Sequence, residues 1–368
     1  MPTTPASAVP PDCVSAADYE RYARARLRAD VWSYIAGAGA DGLTRRWNRE
    51  AFDNLRLAGR VLADLRTAST ASTLMGAPLP YPILVAPVAY QALVHRDGER
   101  ATVLGASAAS AWMTISTLSS VSMEEIAEAA ETLLWFQLYM QPRRQQSLAL
   151  VRRAEAAGCK ALVVTVDAAV NGVRNEEQRA GFNMARYLRP ANLDDFPTVT
   201  SRAGPGESPV FKGLLDHAPT WDDIAWLRAE TRLPLLLKGI VHPDDAERAI
   251  AAGVDGIVVS NHGGRTLDTL PSSVEALQAV AARVQGRVPL LADGGIRRGT
   301  DVLKCLALGA SAVMVGQPIL HALAVAGPVG VIHLLTILRA ELEVAMALTG
   351  CATIADIGRG VLWSRGGG

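Results

Sequence analysis

Short runs of apolar, largely β-branched residues alternate with longer amphipathic stretches along most of the chain. This alternation is typical of repeated strand–helix–strand units around a parallel sheet. Eight runs predict strands: Ile83–Val88, Met113–Thr117, Trp135–Tyr139, Ala161–Asp167, Leu235–Gly239, Gly256–His262, Leu290–Gly294 and Ala312–Gly316. Because strands covered on both faces consist of continuous apolar residues, the pattern predicts an α/β fold with a closed (β/α)8 TIM barrel. An open doubly wound sheet is the alternative.

Several predicted helices begin and end with residues that favour helix termini. Ser122 precedes two glutamates, which suits a helix N-terminus, and Pro243 opens a helix that is expected to stop near Gly253. Gly309 is expected to end a helix that begins near Thr300.

The first 75 residues lack the strand pattern of the rest. No strong strand precedes Gly76, and helical periodicity covers Ala16–Arg28 and Asp30–Ala38. We therefore expect an N-terminal helical extension, residues 1–75, packed on a barrel domain formed by residues 76–368.

One connection between predicted elements is much longer than the others. Between Asp167 and Leu235 the chain carries the irregular runs Arg189–Pro197 and Ser201–Gly206. A long irregular loop inside a compact domain is usually a lid or a disordered segment. Because it follows the fourth predicted strand, we expect it to lie over the catalytic face of the barrel.

Composition narrows the class of protein. The 368 residues include 36 Lys or Arg and 36 Asp or Glu, so no net charge attracts nucleic acid or an anionic membrane. Hydrophobic residues make up 49% of the chain, enough for a large core. No apolar run is expected to reach the ~20 residues that span a bilayer, and the first residues do not resemble a secretion signal, so we expect a cytoplasmic protein.

Cysteine and histidine usage does not indicate a metal site. The cysteines are Cys13, Cys159, Cys305 and Cys351, which are far apart in the sequence. The six histidines are equally scattered. We therefore expect reduced thiols in packing roles and no bound metal.

Polar residues and glycines follow the predicted strands at high density. In a barrel of this kind the carboxyl ends of the strands carry the active site. Lys238 ends an apolar strand, where a charge is costly unless it meets an anion or a polar cofactor. Glycine turns after the seventh and eighth runs, close to Arg297, favour a phosphate site. The strand-end residues are Ser116, Gln137, Tyr139, Thr165, Asp167, Lys238, Ser260, Asn261, His262, Arg265, Asp293, Gly294, Gly295, Gly316 and Gln317.

His262 is the candidate catalytic base. It lies in a glycine-rich loop three residues before Arg265. Histidine titrates near neutrality, and an arginine fork suits a substrate carboxylate. Asp167, on another strand end, is available to fix the histidine tautomer. This combination predicts proton abstraction from a hydroxy acid.

From Tyr19 to about Ala355 the chain resembles the FMN-dependent L-2-hydroxy acid oxidase and dehydrogenase family, which includes glycolate oxidase, lactate oxidase and mandelate dehydrogenase. The segments that carry the resemblance are Ala86–Ala89, Trp135–Tyr139, Leu162–Asp167, Leu237–Gly239, Ser260–Arg265, Asp293–Asp301 and Ala307–Ala310. Within the family, Ala86–Gln91 and Thr117–Ser122 are most similar to the members that oxidise 4-hydroxymandelate.

The resemblance implies a role for each matching position. His262 matches the catalytic base and Asp167 its partner, with Tyr139 and Lys238 also catalytic. Substrate-binding positions are Tyr34, Tyr139, Arg174 and Arg265. Cofactor-binding positions are Ala86, Pro87, Val88, Ala89, Ser116, Gln137, Thr165, Lys238 and Ser260 around the flavin ring, and Asp293, Gly294, Gly295, Arg297, Gly316 and Gln317 around the ribityl chain and phosphate.

The resemblance also implies the reaction: FMN-dependent oxidation of an L-2-hydroxy acid to the 2-oxo acid, with dioxygen reduced to hydrogen peroxide. Ala89, Tyr90 and Leu118 form a surface that favours an aryl acid, mandelate or 4-hydroxymandelate. If Tyr90 and Leu118 instead pack into the barrel core, a small acid such as lactate is favoured. Relatives are commonly tetramers, so we expect a homo-oligomer.

Two positions depart from the family pattern. Gln317 stands where the family usually has an arginine on the FMN phosphate, which predicts a loss of ~1–2 kcal/mol in local phosphate affinity. Arg174 is present at a position where the family has an arginine, but the neighbouring proline and second arginine that are usual in the family are absent. Two alternatives follow, an FMN enzyme of the same fold with a different tailoring substrate and a flavin-poor barrel with a binding role. The retained catalytic and substrate-binding residues argue against the second.

Overall fold

The computed structural model describes residues 8–194, 196, 203–204, 206–215 and 218–363, with only the backbone of residues 213 and 214. The helices in these ranges are α1 Ala16–Arg26, α2 Ala29–Ala36, α3 Leu43–Asn54, α4 Gly98–Ala108, α5 Met123–Glu128, α6 Arg144–Ala156, α7 Asn175–Arg179, α8 Trp221–Glu230, α9 Pro243–Ala251, α10 Ser273–Val284, α11 Gly299–Ala307 and α12 Gln317–Thr349. The strands are β1 Ser72–Leu74, β2 Ala77–Leu79, β3 Ile83–Val85, β4 Met113–Ser116, β5 Leu134–Leu138, β6 Leu162–Thr165, β7 Leu235–Ile240, β8 Gly256–Val259, β9 Leu290–Ala292 and β10 Ala312–Val315.

Strands β3 to β10 form a closed barrel of parallel strands. The last strand pairs with the first, for example Val313 with Ile83, so the sheet closes on itself. The predicted TIM barrel is therefore confirmed, and the doubly wound alternative is wrong. Each predicted run coincides with one strand to within a few residues. Most strands end before the run does, because the chain turns there into the loops that carry the candidate site.

The predicted helix termini are also found. The Ser122 hydroxyl accepts from the backbone N–H of Glu125 in a capping box that opens α5. Pro243 occupies the first turn of α9, and α11 ends just before Gly309, whose positive φ of 107° suits glycine. The four cysteines are buried as free thiols, as predicted.

Helix α12 contradicts the expectation that no apolar run is long enough to span a membrane. By its length of 33 residues and its apolar composition alone, this helix could cross a membrane. However, 72% of its most apolar window is buried in the protein, and the helix packs against α1, α4 and α11. The backbone is non-helical at Ala326 and Gly327, just before Pro328, so two core helices meet at a kink.

The N-terminal segment contains more structure than the periodicity predicts. Helices α1 and α2 lie where expected, but α3 was not predicted. A short antiparallel hairpin, β1 and β2, corrects the expectation of no strand before Gly76. Its residues Leu74 and Leu79 pack with Leu84 and Trp135 into the barrel interior. The hairpin therefore contributes two side chains to the core inside the barrel.

The lid, defined here as residues 168–220, covers the catalytic face with its first part. Helix α7 and the residues up to Met184 line a cavity at the strand ends. Farther along, buried Asn192 donates to Ser119 Oγ at 2.8 Å and accepts from the Met123 backbone at 2.9 Å, which fixes the lid to the loop after β4. Within the predicted irregular runs, positions 195, 197, 201, 202 and 205 lie outside the described residues.

Candidate active site

A cavity of about 700 Å³ opens at the carboxyl ends of the barrel strands. This volume lies in the range of roughly 300–1,000 Å³ that is typical of small-molecule and cofactor sites. The strand-end loops, the lid and the α2–α3 segment form its walls. Of the site residues predicted from the sequence, Asp167 and Ser260 lie behind this lining, and all the others line the cavity.

His262 and Asp167 form a hydrogen-bonded pair. His262 Nδ1 lies 2.9 Å from Asp167 Oδ1. Because an ionised carboxylate only accepts hydrogen bonds, the pair assigns the proton to Nδ1 and leaves Nε2 free to accept one. The His262 backbone has a φ of 57° in the left-handed region, and its N–H donates to Ser260 Oγ at 3.0 Å.

Gly239 permits the close approach of Asp167. A Cβ atom at this glycine would lie 2.5 Å from Asp167 Cβ, and its φ of 111° also disfavours other residues. Burial raises the pKa of Asp167, but the charge and hydrogen bond of His262 and the charge of Lys238 outweigh this and hold the pKa below its ordinary value. Asp167 is therefore an anion at neutral pH that orients His262.

Lys238 is buried between two polar partners. Its Nζ lies 3.0 Å from Ser260 Oγ and 3.0 Å from Asp293 Oδ2. Burial alone lowers the pKa of Lys238, but the charges of Asp293 and Asp167 outweigh it and raise the pKa above its ordinary value. The expected anion beside Lys238 is therefore part of the protein, and the lysine remains charged at the cavity.

The ends of β4 to β6 supply uncharged polar groups. Gln137 Oε1 accepts from Ser116 Oγ and from the Thr117 backbone, each at 3.2 Å. Its Nε2 is buried without a partner among the described residues. Thr165 is in register with Lys238 on the neighbouring strand. A free amide donor beside a lysine suits the ring nitrogens and carbonyl oxygens of a flavin.

Two arginines converge at the lid side of the cavity. Arg174 Nη1 lies 2.8 Å from Glu177 Oε1, and Arg265 Nη2 lies 3.8 Å from the same oxygen. Arg265 also donates to Gly37 O at 2.7 Å. Burial and the charge of Arg174 lower the pKa of Arg265. Two guanidinium groups share one carboxylate, and the remaining positive charge suits a substrate carboxylate.

The predicted tyrosines, Tyr34 and Tyr139, line the same cavity as these arginines. The Arg265 guanidinium lies 5.3 Å from the Tyr34 ring centroid. Burial raises the pKa of Tyr139 to about 12, and Lys238, Asp167, Tyr34 and Arg174 all act on it electrostatically. Burial likewise raises the pKa of Tyr34. Both phenols are protonated at neutral pH and available as hydrogen-bond donors.

At the other end of the cavity the glycine turns let the protein segments that line it pack closely together. A Cβ at Gly295 would lie 2.7 Å from Asn48 O, and φ there is 83°. Arg297 donates to Gln317 Oε1, and Gln317 Nε2 donates to Ile35 O at 3.0 Å. Gln317 therefore bridges Arg297 and the end of α2. We call the region around Arg297 and Gln317 the phosphate end.

Several cavity residues were not predicted from the sequence. On α3 they are Arg45, Asn48 and Arg49, and on the lid they include Glu177 and Phe182. The α3 segment is rich in charged residues, which masked its helical period. The lid residues follow no spacing rule, because the path of an irregular loop is set by tertiary contacts.

Comparison with known proteins identifies the family. Residues 23–364 match the family model for FMN-dependent dehydrogenase. The chain is 46% identical over 355 residues to the L-lactate oxidase of Alicycliphilus denitrificans, covering 96% of this chain and 97% of the relative. It is 39% identical over 349 residues to glycolate oxidase 1 of Oryza sativa subsp. indica, covering 94% and 95%. The crystal structure of mandelate oxidase with (S)-2-phenylpropionate matches with a TM-score of 0.87 at 42% identity, covering 96% and 99%.

The chain belongs to the FMN-dependent dehydrogenase family. Together, fold, site and relatives define its class: it is an FMN-dependent 2-hydroxy acid oxidase, an oxidoreductase that uses dioxygen. The predicted family, enzyme class and cofactor are confirmed.

The residues present fit FMN. The buried Gln137 Nε2 and Asp293 Oδ1 lack partners among the described residues, so each can meet a polar atom of a bound flavin. Gly294, Gly295 and Gly316 line the cavity at the phosphate end together with Arg297. These features do not support the alternative of a flavin-poor binding protein.

Proposed function

We propose that this protein oxidises aryl L-2-hydroxy acids of the mandelate type to 2-oxo acids. The observation that supports this proposal is an aromatic wall on the lid side of the cavity. Phe182 and Tyr34 line the cavity and form this wall, with their rings stacked and the ring centroids 4.7 Å apart; Tyr187 stacks on Phe182 at 5.7 Å without lining the cavity. Tyr90 and Leu118 are half-buried and line the same cavity, rather than packing into the barrel core.

In the proposed reaction, His262 Nε2 accepts the proton of the substrate α-hydroxyl. Arg265 and Arg174 hold the substrate carboxylate, with Tyr34 beside them. Bound FMN would supply the redox chemistry of the reaction: the hydride of the α-carbon would pass to it and its two electrons then to dioxygen, which with two protons would give hydrogen peroxide. Lys238 places a fixed positive charge where negative charge develops.

With the carboxylate and hydroxyl held in this way, the third substituent of the substrate points toward the aromatic wall. Burying an aromatic ring there contributes ~2 kcal/mol or more relative to the hydrogen of glycolate. Known relatives include oxidases of lactate, glycolate and mandelate, so the wall, rather than the family, supports the aryl substrate. The cytoplasmic location and the tetramer stay predictions.

Steady-state kinetics with (S)-mandelate, L-lactate and glycolate test the proposal. We expect kcat/KM for mandelate to exceed that for glycolate by more than about tenfold. Phe182→Ala should reduce kcat/KM for mandelate more than for lactate. Phe211→Ala is the matched control, because Phe211 lies on the lid, is 72% exposed and does not line the cavity.

A kcat/KM for glycolate equal to or above that for mandelate would refute the aryl pocket while leaving the flavin chemistry intact. Equal losses for mandelate and lactate in Phe182→Ala would assign that residue to lid packing instead.

A further inference from the structure

The phosphate end of the cavity holds two arginines that have no carboxylate within ion-pair distance among the described residues. Arg297 donates to Ile296 O at 2.9 Å and to Gln317, and Arg45 donates to Ala36 O. Arg49 on the same wall differs, because it pairs with buried Asp301 at 2.8 Å. Half-buried guanidinium groups without a counter-ion are costly unless a ligand supplies the negative charge.

Helix α3 holds Arg45 rigidly at this end. The Asp268 carboxylate accepts from the backbone N–H groups of Leu43 and Thr44 at 3.2 and 2.8 Å, which fixes the start of the helix. One turn later, the Asn48 side chain exchanges two hydrogen bonds of 2.9 and 2.8 Å with Asn261, close to the catalytic histidine. Arg45, three positions before Asn48, therefore faces the cavity from a fixed surface.

The position of Arg45 is unfavourable without a ligand. It lies in the first turn of α3, where the helix dipole favours negative rather than positive charge. Burial lowers the pKa of Arg297 to about 10; the charges of Glu20 and Asp301 oppose this effect, and those of Arg49 and Arg45 add to it. The protein thus keeps like charges close together, an arrangement that an anion would relieve.

Arg298 does not contribute to this end, because it is exposed and pairs with Asp53 at 3.0 Å. Gln317 is uncharged and is held between Arg297 and Ile35. We propose that Arg45 supplies the positive charge for the FMN phosphate that position 317 lacks in this chain, with Gln317 holding Arg297 in place as the second cation. Two guanidinium groups match a phosphate monoester, which carries a charge of about −1.5 to −2 at neutral pH.

This inference predicts a cofactor-binding effect that depends on the phosphate. Apoprotein is titrated with FMN and, separately, with riboflavin, which has the same ring and ribityl chain but no phosphate, and flavin fluorescence quenching gives each Kd. Arg45→Gln removes the charge and keeps a donor for Ala36 O. It should raise the Kd for FMN by about tenfold or more, the loss of one charge-assisted contact, and leave the Kd for riboflavin unchanged.

Further variants separate charge from structure. Arg46→Gln is the matched control, because Arg46 is the next residue, is exposed and pairs with Glu50 at 3.5 Å. It should leave both Kd values unchanged. Arg45→Lys should retain most of the FMN affinity. Gln317→Arg should restore FMN affinity to the Arg45→Gln protein and change the wild-type Kd by less than about threefold.

A wild-type Kd for FMN in Arg45→Gln would overturn the proposal. So would equal weakening of FMN and riboflavin, which would assign Arg45 a structural role. If Arg45→Gln does not fold, two other measurements test the proposal: the Kd of Arg45→Lys for FMN and the salt dependence of flavin binding to the wild type. Wild-type Kd values for FMN and for riboflavin that change equally with salt concentration would contradict the proposal. None of these outcomes depends on which hydroxy acid the enzyme oxidises.

Discussion

The two ends of the cavity handle charge in opposite ways. Around His262, the proposed base, the protein supplies its own partners, since Asp167 lies against His262 and Asp293 against Lys238. At the phosphate end the guanidinium groups of Arg45 and Arg297 have only neutral partners among the described residues. The comparison indicates that the reacting end is preorganised before any ligand arrives, whereas the phosphate end is electrostatically completed by the cofactor.

The largest expected effect comes from breaking a charge pair at the reacting end. Lys238→Met leaves Asp293 buried without its ion-pair partner, and breaking such a pair typically costs about 3–5 kcal/mol. We expect urea unfolding of the apoprotein to show a loss of this size. Adding Asp293→Asn to the same protein should recover part of it. An apoprotein as stable as the wild type would show that Lys238 and Asp293 are not coupled.

The second prediction concerns chemistry at the same end. His262→Ala should leave FMN bound but slow anaerobic flavin reduction by the substrate at least ~10²-fold, the lower range for a lost general base. Stopped-flow absorbance measures the rate, and the visible flavin spectrum checks cofactor retention. Near-normal reduction would remove His262 from the role of base.

The third prediction concerns the stability of the protein in acid, which depends on the buried His321 near the phosphate end. His321 is fully buried, stacks on Trp32 at 5.4 Å, and neither ring nitrogen has a partner among the described residues. Burial and the charge of Arg297 lower the pKa of His321 to about 3. The unfolded chain takes up a proton below about pH 6.5, so stability falls as the pH drops from there toward 3 by up to ~1.4 kcal/mol per pH unit.

His321→Phe removes this proton uptake and preserves ring stacking. Its unfolding free energy should therefore decline less than that of the wild type between pH 6.5 and pH 4.5. Parallel declines in the two proteins would assign the acid sensitivity to other groups.

The smallest expected effect is the change in stability of the FMN-free protein when Arg45 is replaced. Arg45→Gln removes a charge that has no carboxylate partner among the described residues, so the apoprotein should become no less stable, with a gain of a few tenths of a kcal/mol at low salt. Thermal unfolding of the FMN-free protein at low and high salt measures this change. A loss of several kcal/mol would mean that Arg45 is structurally required.

The barrel was predictable because its strands are buried on both faces and therefore appear as continuous apolar runs, as Leu235–Leu237 shows. His262 and Lys238 could be predicted as candidate site residues because each stands at the end of one of these apolar runs. Helix α3 was not predicted because it has few apolar residues, such as Phe52, among many charged ones. The two strands of the β1–β2 hairpin are too short for a periodic pattern to be detected.

Tertiary contacts determine the remaining parts of the site. The role proposed for Arg45 depends on the meeting of α3 with the Asn261 loop, two segments 213 positions apart at the Asn48–Asn261 pair. The position of Glu177 between Arg174 and Arg265 depends on the fold of the lid. Sequence spacing carries no signal for either arrangement.

The left-handed backbone at His262 implies a trade-off between activity and stability. A non-glycine residue in this region carries a strain of about 1–3 kcal/mol, which glycine avoids. His262→Gly should therefore unfold at a higher temperature than the equally inactive His262→Ala. The enzyme tolerates a less stable loop at the position of the proposed base, where glycine would be more stable but could not accept a proton.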